Sequence, residues 1–279
     1  MSSKMPESTQ IADVSEDLNT IARFLAHEQI PSIQEHDPVD CIVICASAVL
    51  TQASHIFSAL ESRPSLARTL VLVGGIGHST SLIYEAVARH PTYHTISDQV
   101  HGLPESRVLL LILKAFFDIE RIESNGCRVL VEDRSTNCGA NALETREVLD
   151  GAGVTDMNSC IVVQDPTMSL RTIASFEKAY EDLPRDKRPS FLGCPIFVPV
   201  TRTGNGELQY DLRGREDLRE EDFWEMKRFC ELLVGEVARL KDDENGYGPR
   251  GKGFIGHVDV STDIDLAAKH VREVLQVDR

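Results

Sequence analysis

The chain is poor in several things that would have narrowed its role at once. No C-x-x-C pair occurs among its seven cysteines, Cys41, Cys45, Cys127, Cys138, Cys160, Cys194 and Cys230. Their number is odd and most lie inside apolar runs, where a thiol packs as a small hydrophobe, which points to a reducing compartment. No stretch approaches the roughly 18 uninterrupted apolar residues of a membrane span, and the polar opening MSSKMPESTQ lacks the apolar core of a secretion signal. The expectation is a soluble, cytoplasmic protein with no membrane partner. Positive charge is also scarce: 29 Lys and Arg stand against 44 Asp and Glu, for a net charge of -15. A field of that sign repels polyanions, so nucleic acid is excluded as a non-specific partner.

Named motifs are missing too. The nine histidines show no H-E-x-x-H or other ligand spacing, and no metal site is expected. DDENGY, with Lys241 at the first ligand position and no Glu at the twelfth, is not a calcium loop. There is no G-x-S-x-G elbow, and hence no serine nucleophile of the common α/β-hydrolase type.

What is present is a rhythm. Residues 14–27 place Leu18, Ile21, Ala22 and Leu25 on one helical face, with Ser15 as a reasonable N-cap. CIVIC (41–45), TLVLV (69–73), RVLVE (128–132) and CIVVQ (160–164) are short and apolar throughout, as strands covered on both faces should be. Helical stretches separate them, over 49–62, 81–89, 109–119, NALETREVLDGAG and TMSLRTIASFEKAY. Strand and helix in alternation predict an α/β fold with a doubly wound, mostly parallel, Rossmann-like sheet. FLGCPIFVPV (191–200) offers a fifth strand that its prolines confine to an edge or turn partly into loop. Beyond it come a loop or hairpin, a long helix over 216–242 with a solvated acidic face, a Gly-rich loop, and a last amphipathic helix with Ile264, Ala267, Val271 and Val274 in register. The expected division is a sheet domain over 1–200, including the first helix, and a smaller, mainly helical portion over 201–279.

Three polar stretches sit where a strand becomes a helix, the edge at which open α/β sheets bind ligands. In LVLVGGIGHSTS (70–81), Gly74, Gly75 and Gly77 allow a ligand to touch bare backbone, and His78, Ser79 and Thr80 can cap the next helix or donate hydrogen bonds. A tight turn with a capping serine accounts for the glycines equally well. The loop is neither a P-loop, since the lysine is missing, nor G-x-G-x-x-G, since position 80 is threonine. In VEDRSTNCGAN (131–141), Ser135, Thr136 and Asn137 compete for one cap, with Asn141 a turn beyond. That excess favours a ligand, because a carboxylate and an amide such as Asp133 and Asn141 match the paired hydroxyls of a ribose. QDPTMSLR (164–171) adds Asp165 and Arg171, although an Asp cap before Pro at the first helical position would look the same.

Taken together, GGIGHST, VEDRSTNCGANA, IVVQDPTM and DDENGYGPRGKGFIGHVD closely resemble the YdcF-like proteins of the SanA/ElyC/YdcF domain family, over about Cys41 to Asp259. The resemblance implies a Rossmann-like domain with a smaller C-terminal portion and the binding of S-adenosylmethionine. By position it implicates Gly74, Gly75, Gly77, His78 and Ser79; Asp133, Ser135, Thr136, Asn137 and Asn141; and Asp165, Thr167 and Arg171. Glu105 sits where the family shows a glutamate before alanine, but here the neighbours are LPES. Tyr247, Gly248, Arg250 and Gly251 match a C-terminal loop, expected over 242–256 as a lid on the cleft.

The expected function is therefore a nucleotide-type, small-molecule ligand-binding protein, with the question of enzymatic activity left open by the sequence. The glycine loop would meet an amino-acid tail or a phosphate through its N–H groups, and Asp133 or Asn141 would hold ribose. Asp133, Asp165, His78 and Arg171 are the candidates for chemistry. On this reading, a branched side chain at Gly75 blocks the ligand without unfolding the protein. The alternatives are a non-catalytic adenosyl-ligand sensor and a phosphoester or pyrophosphate hydrolase using a divalent ion held by Asp133 and Asp165.

Overall fold

The computed structural model describes residues 7–277, with side chains from Val14 onward. In chain order the main elements are α1 (Glu7–Ala26), β1 (Val39–Cys45), α2 (Thr51–Ser62), β2 (Ala67–Val73), α3 (Thr80–Arg89), α4 (Ser97–Val100), α5 (Glu105–Phe116) and α6 (Ile119–Ser124). The chain continues with β3 (Arg128–Glu132), α7 (Cys138–Gly151), β4 (Ser159–Val163), α8 (Ser169–Ala179), β5 (Ser190–Gly193), β6 (Thr201–Gly204), β7 (Glu207–Tyr210), α9 (Met226–Leu240) and α10 (Thr262–Leu275). The fold is α/β, with a five-stranded, all-parallel, Rossmann-like sheet in the order β3-β2-β1-β4-β5 and helices at the C-terminal end of the chain. Among the described residues no helix is long and apolar enough to cross a membrane.

Contacts divide the chain into two compact units. One holds residues 28–165 and 172–196; the other holds α1, residues 166–171 and the chain from Phe197 on. The second unit resumes at Phe197, and α1 groups with it. The reason is side-chain chemistry. Asn19 of α1 accepts the Thr201 N–H (2.6 Å) and donates to the Thr201 carbonyl (2.8 Å), tying the helix to the β6–β7 hairpin. Ser15, expected as a cap, lies inside α1, where its hydroxyl is 3.3 Å from that of Thr201.

In the sheet unit the continuous apolar strands conceal an ordinary period of two. Ile42, Ile44, Leu70, Leu72, Ile161 and Val163 face one core, filled by Ile56, Phe57 and Leu60 of α2 and Val108, Leu109, Ile112 and Leu113 of α5. Cys41, Val43, Cys45, Val71, Val73, Cys160 and Val162 face the other, against Ala142 and Leu149 of α7 and Ile173 and Phe176 of α8. Alternate residues point to opposite faces. Each fully buried large side chain contributes about 1.5–3 kcal/mol, so both layers are needed to hold β1, the central strand. Edge strand β5 ends at Gly193, and Pro195 and Pro199 lie in the loop beyond it.

In the other unit, α9 begins at Met226, ten residues later than periodicity suggests. Tyr210 explains the delay: its hydroxyl donates to the Trp224 carbonyl (3.0 Å), and its ring stacks on Phe223. Phe223 and Trp224 are thereby held in an aromatic cluster with Phe229, outside the helix. The acidic outer face of α9 also has an exception, since Glu236 is buried.

Candidate functional site

Because the five strands of the main sheet run the same way, the segments after β1, β2, β3 and β4 all emerge along one rim of it. The chain steps from β1 to β2 to β3 in one direction, then returns to place β4 on the other side of β1. The order therefore reverses between β1 and β4, where neighbouring loops diverge and leave a crevice.

At the mouth of β2 the glycines serve the protein's own backbone. Gly74 has φ of +143°, a region closed to most side chains, and its N–H donates to the Glu132 carbonyl (3.0 Å). The Gly75 N–H donates to the Ser135 carbonyl (2.9 Å), and a Cβ at Gly75 would collide with that same oxygen and stand 2.9 Å from the Asp133 carbonyl. The Gly77 N–H donates to Thr80 Oγ1 (2.8 Å). All three donors are spent internally, which removes the N–H cradle expected for a phosphate or an amino-acid tail. A valine at Gly75 would meet backbone before it met any ligand. Ser79 occupies the N-cap of α3 without a side-chain capping bond, and His78 is exposed at the loop tip.

Glu105, the first residue of α5, belongs to the same mouth. Its N–H donates to the Gly75 carbonyl (3.1 Å), and the Ser106 N–H donates to the Gly74 carbonyl (2.8 Å). Thr80 donates its hydroxyl to Glu105 Oε1 (2.9 Å). Burial pushes the Glu105 carboxyl above the usual range, and the Thr80 hydrogen bond works against that shift.

At the mouth of β3 a carboxylate organises the loop. Buried Glu132 accepts the N–H groups of Arg134 (2.6 Å) and Ser135 (2.8 Å) on Oε1 and the Ser135 hydroxyl (2.5 Å) on Oε2. Ser135 is thus buried and fully engaged in its own turn, whereas Thr136 is exposed. Asn137 caps α7 by accepting the Ala140 N–H (3.0 Å). Asn141 hydrogen-bonds the Cys45 thiol, whose pKa burial pushes far up. Asp133 is half-buried, and both Nε and Nη2 of Arg107 contact its Oδ2 at 2.8 Å.

At the β1–β4 reversal, Ser47 donates to Asp165 Oδ2 (3.3 Å) and accepts the Val49 N–H (3.1 Å). Asp165 is buried, its N–H donating to the Gln164 side-chain oxygen (2.7 Å). The ends of β3 and β4 are three strand spacings apart, about 14 Å. Asp133 and Asp165 therefore make no shared clamp for a divalent ion. Among the described residues no three His, Cys, Asp or Glu gather as a metal-binding group.

The remaining candidates fall in the other unit. Thr167 is buried there, and Arg171 makes a two-pronged ion pair with buried Glu236 (2.5 and 3.1 Å), which Arg239 also meets at 2.8 Å. Arg171 stands 5.8 Å from the centre of the Tyr247 ring. The loop carrying Tyr247, Gly248, Arg250 and Gly251 winds about Asp242, which accepts the Arg250 N–H (2.6 Å) and pairs with Arg250 Nε (3.3 Å) and His257 (3.0 Å). The Arg250 N–H, together with His257, holds the Asp242 carboxyl below its ordinary range. Asp242, Asp243, Glu244, Asn245 and Arg250 line a hollow of about 450 Å³ in this loop.

No model of a known protein family matches the chain. Two residues that the geometry brings to the rim escape a linear reading. Ser47 lies two residues beyond β1, and its place just past a strand end is the signal that would have found it. Arg107 gives no local signal, because its partner Asp133 is 26 residues away.

Proposed function

We propose that this protein binds a small adenosyl-type ligand, S-adenosylmethionine in the first instance, at the carboxyl rim of its parallel sheet. One observation carries the reading: Ser47 and Asp165 meet at the point where the strand order reverses. A buried carboxylate beside a hydroxyl suits a ligand with hydroxyl or amine donors. The balance of donors and charge narrows the class. The N–H groups of Gly74, Gly75 and Gly77 are consumed, while Glu105, Asp133 and Asp165 bring acid to the rim. A polyphosphate finds no cradle in the glycine loop, whereas a ligand bearing a sulfonium or ammonium is matched in sign. This agrees with the resemblance to YdcF-like proteins. S-adenosylmethionine, when bound, would supply a transferable methyl group.

A non-catalytic, sensing role is favoured by one further observation. Of the four residues assigned to chemistry, Asp133 and Arg171 are already paired with Arg107 and Glu236, and His78 stands exposed. We place the protein in the cytoplasm, acting on a small molecule and not on nucleic acid; seven free cysteines and the net charge of -15 support this.

Thermal unfolding with S-adenosylmethionine, S-adenosylhomocysteine, ATP and Mg²⁺ tests the reading. Ligand at about 100 times Kd should add roughly 2.7 kcal/mol of stability. Adenosylmethionine is expected to shift the midpoint and Asp165→Asn to abolish the shift. A response to ATP with Mg²⁺ alone would replace this reading with the binding of a phosphorylated nucleotide.

A further inference from the structure

Glu105 is built firmly into the rim by its main chain and by one of its carboxyl oxygens. Its main chain is pinned to the Gly75 carbonyl, and its Oε1 is fixed by Thr80, which is itself oriented by the Gly77 N–H. An ideal Cβ at Gly74 would lie 3.3 Å from Glu105 Oε2 and 3.1 Å from the Ala46 Cβ. The carboxyl thus fills the gap between the ends of β1 and β2 that only glycine leaves open. Among the described residues nothing donates a hydrogen bond to Oε2.

Among those residues no cation answers this group. On α5 itself, Arg107 is turned to Asp133. From α3 the titratable neighbour is Tyr84, whose hydroxyl donates to the Leu103 carbonyl (2.6 Å). From the β3 side, Glu132 spends both oxygens in its own loop, and the end of β1 brings only Ala46. Half-buried and uncompensated, the carboxyl holds its proton more tightly than a free glutamate. A positive charge placed beside Oε2 would reverse that preference.

We infer that Glu105 is the proton-exchanging group of the rim, releasing its proton to solvent when a cationic ligand settles at the mouth of β1 and β2. The inference rests on the rim being the ligand site and adds how that site selects charge. It makes affinity for a sulfonium or ammonium ligand rise with pH, by up to about tenfold per unit below the Glu105 midpoint, and leaves affinity for uncharged adenosine flat.

Calorimetry of the full chain with S-adenosylmethionine, in buffers of different ionisation enthalpy at the Glu105 midpoint measured in the ligand-free protein, counts the protons released. The wild-type protein should release a measurable fraction of one proton per ligand and Glu105→Gln none, while adenosine should release none with either. In the ligand-free protein, a carbon-13 titration of the Glu105 carboxyl should give a midpoint above the ordinary value, raised further in Thr80→Val and restored in Thr80→Ser. Failure of adenosylmethionine to bind the wild-type chain overturns the rim reading and this coupling together. Binding with proton release unchanged in Glu105→Gln overturns the coupling alone, as does an ordinary Glu105 midpoint in the ligand-free protein.

Discussion

Glycine is concentrated in two places, the mouth of β2 and the loop over residues 241–257, and both look from the sequence like surfaces made for a ligand. In the first, a Cβ at Gly75 would run into the carbonyl of Ser135; in the second, a Cβ at Gly246 would run into that of Lys241, and one at Gly251 into those of Asp243 and Gly246. Both loops have shed side chains so that main chain can lie on main chain. They differ in what they leave over. The second closes on Asp242, whose oxygens are taken up by Arg250 and His257. The first closes beside Glu105, whose Oε2 accepts no hydrogen bond from the described residues. A second contrast runs alongside: Asp133–Arg107 is half exposed, while Glu236–Arg171 is almost sealed.

Substitutions sharpen both contrasts. The largest effect is expected from Glu236→Ala, which leaves Arg171 and Arg239 without their buried counter-charge and should cost about 3–5 kcal/mol in denaturant unfolding. Next come Gly246→Ala and Gly75→Ala, each forcing a methyl group against a fixed carbonyl, at about 1–3 kcal/mol. If Gly75→Ala is neutral, the glycine has a role other than close approach. Asp133→Ala should cost no more than about 1 kcal/mol, since its partner stays hydrated; a loss equal to that of Glu236→Ala would erase the difference between the two pairs. The smallest effect belongs to Gly77→Ala, where a Cβ sits 3.2 Å from the Thr136 carbonyl and the change should stay within about 0.5 kcal/mol.

The sheet was legible because hydrophobic runs and turn residues are local properties. CIVIC, TLVLV, RVLVE and CIVVQ each became a strand, and the prolines did confine the fifth to an edge. The tie between α1 and Thr201 and the start of α9 were not legible. One joins Ser15 and Asn19 to a residue far along the chain, and the other rests on a hydroxyl of Tyr210 reaching the carbonyl of Trp224. The candidate site divides in the same way. That polar groups lie just past β2, β3 and β4 could be read directly, but which of them are already occupied could not. Asp133 and Arg171 look alike in the sequence, as charges beside small polar residues. Only their partners, 26 and 65 positions away, separate a half-exposed pair at the rim of the sheet unit from a buried pair within the other unit.

The distribution of thiols has a practical outcome. Cys138 is half-buried, while Cys41, Cys45, Cys127, Cys160 and Cys194 are shut inside the sheet unit and Cys230 alone inside the other. Alkylation of the native protein would mark Cys138 first, and each later mass increment would register an opening event, five positions reporting on one unit and a single position on the other. The chain thus carries its own chronometer for unfolding, with a separate hand for each part.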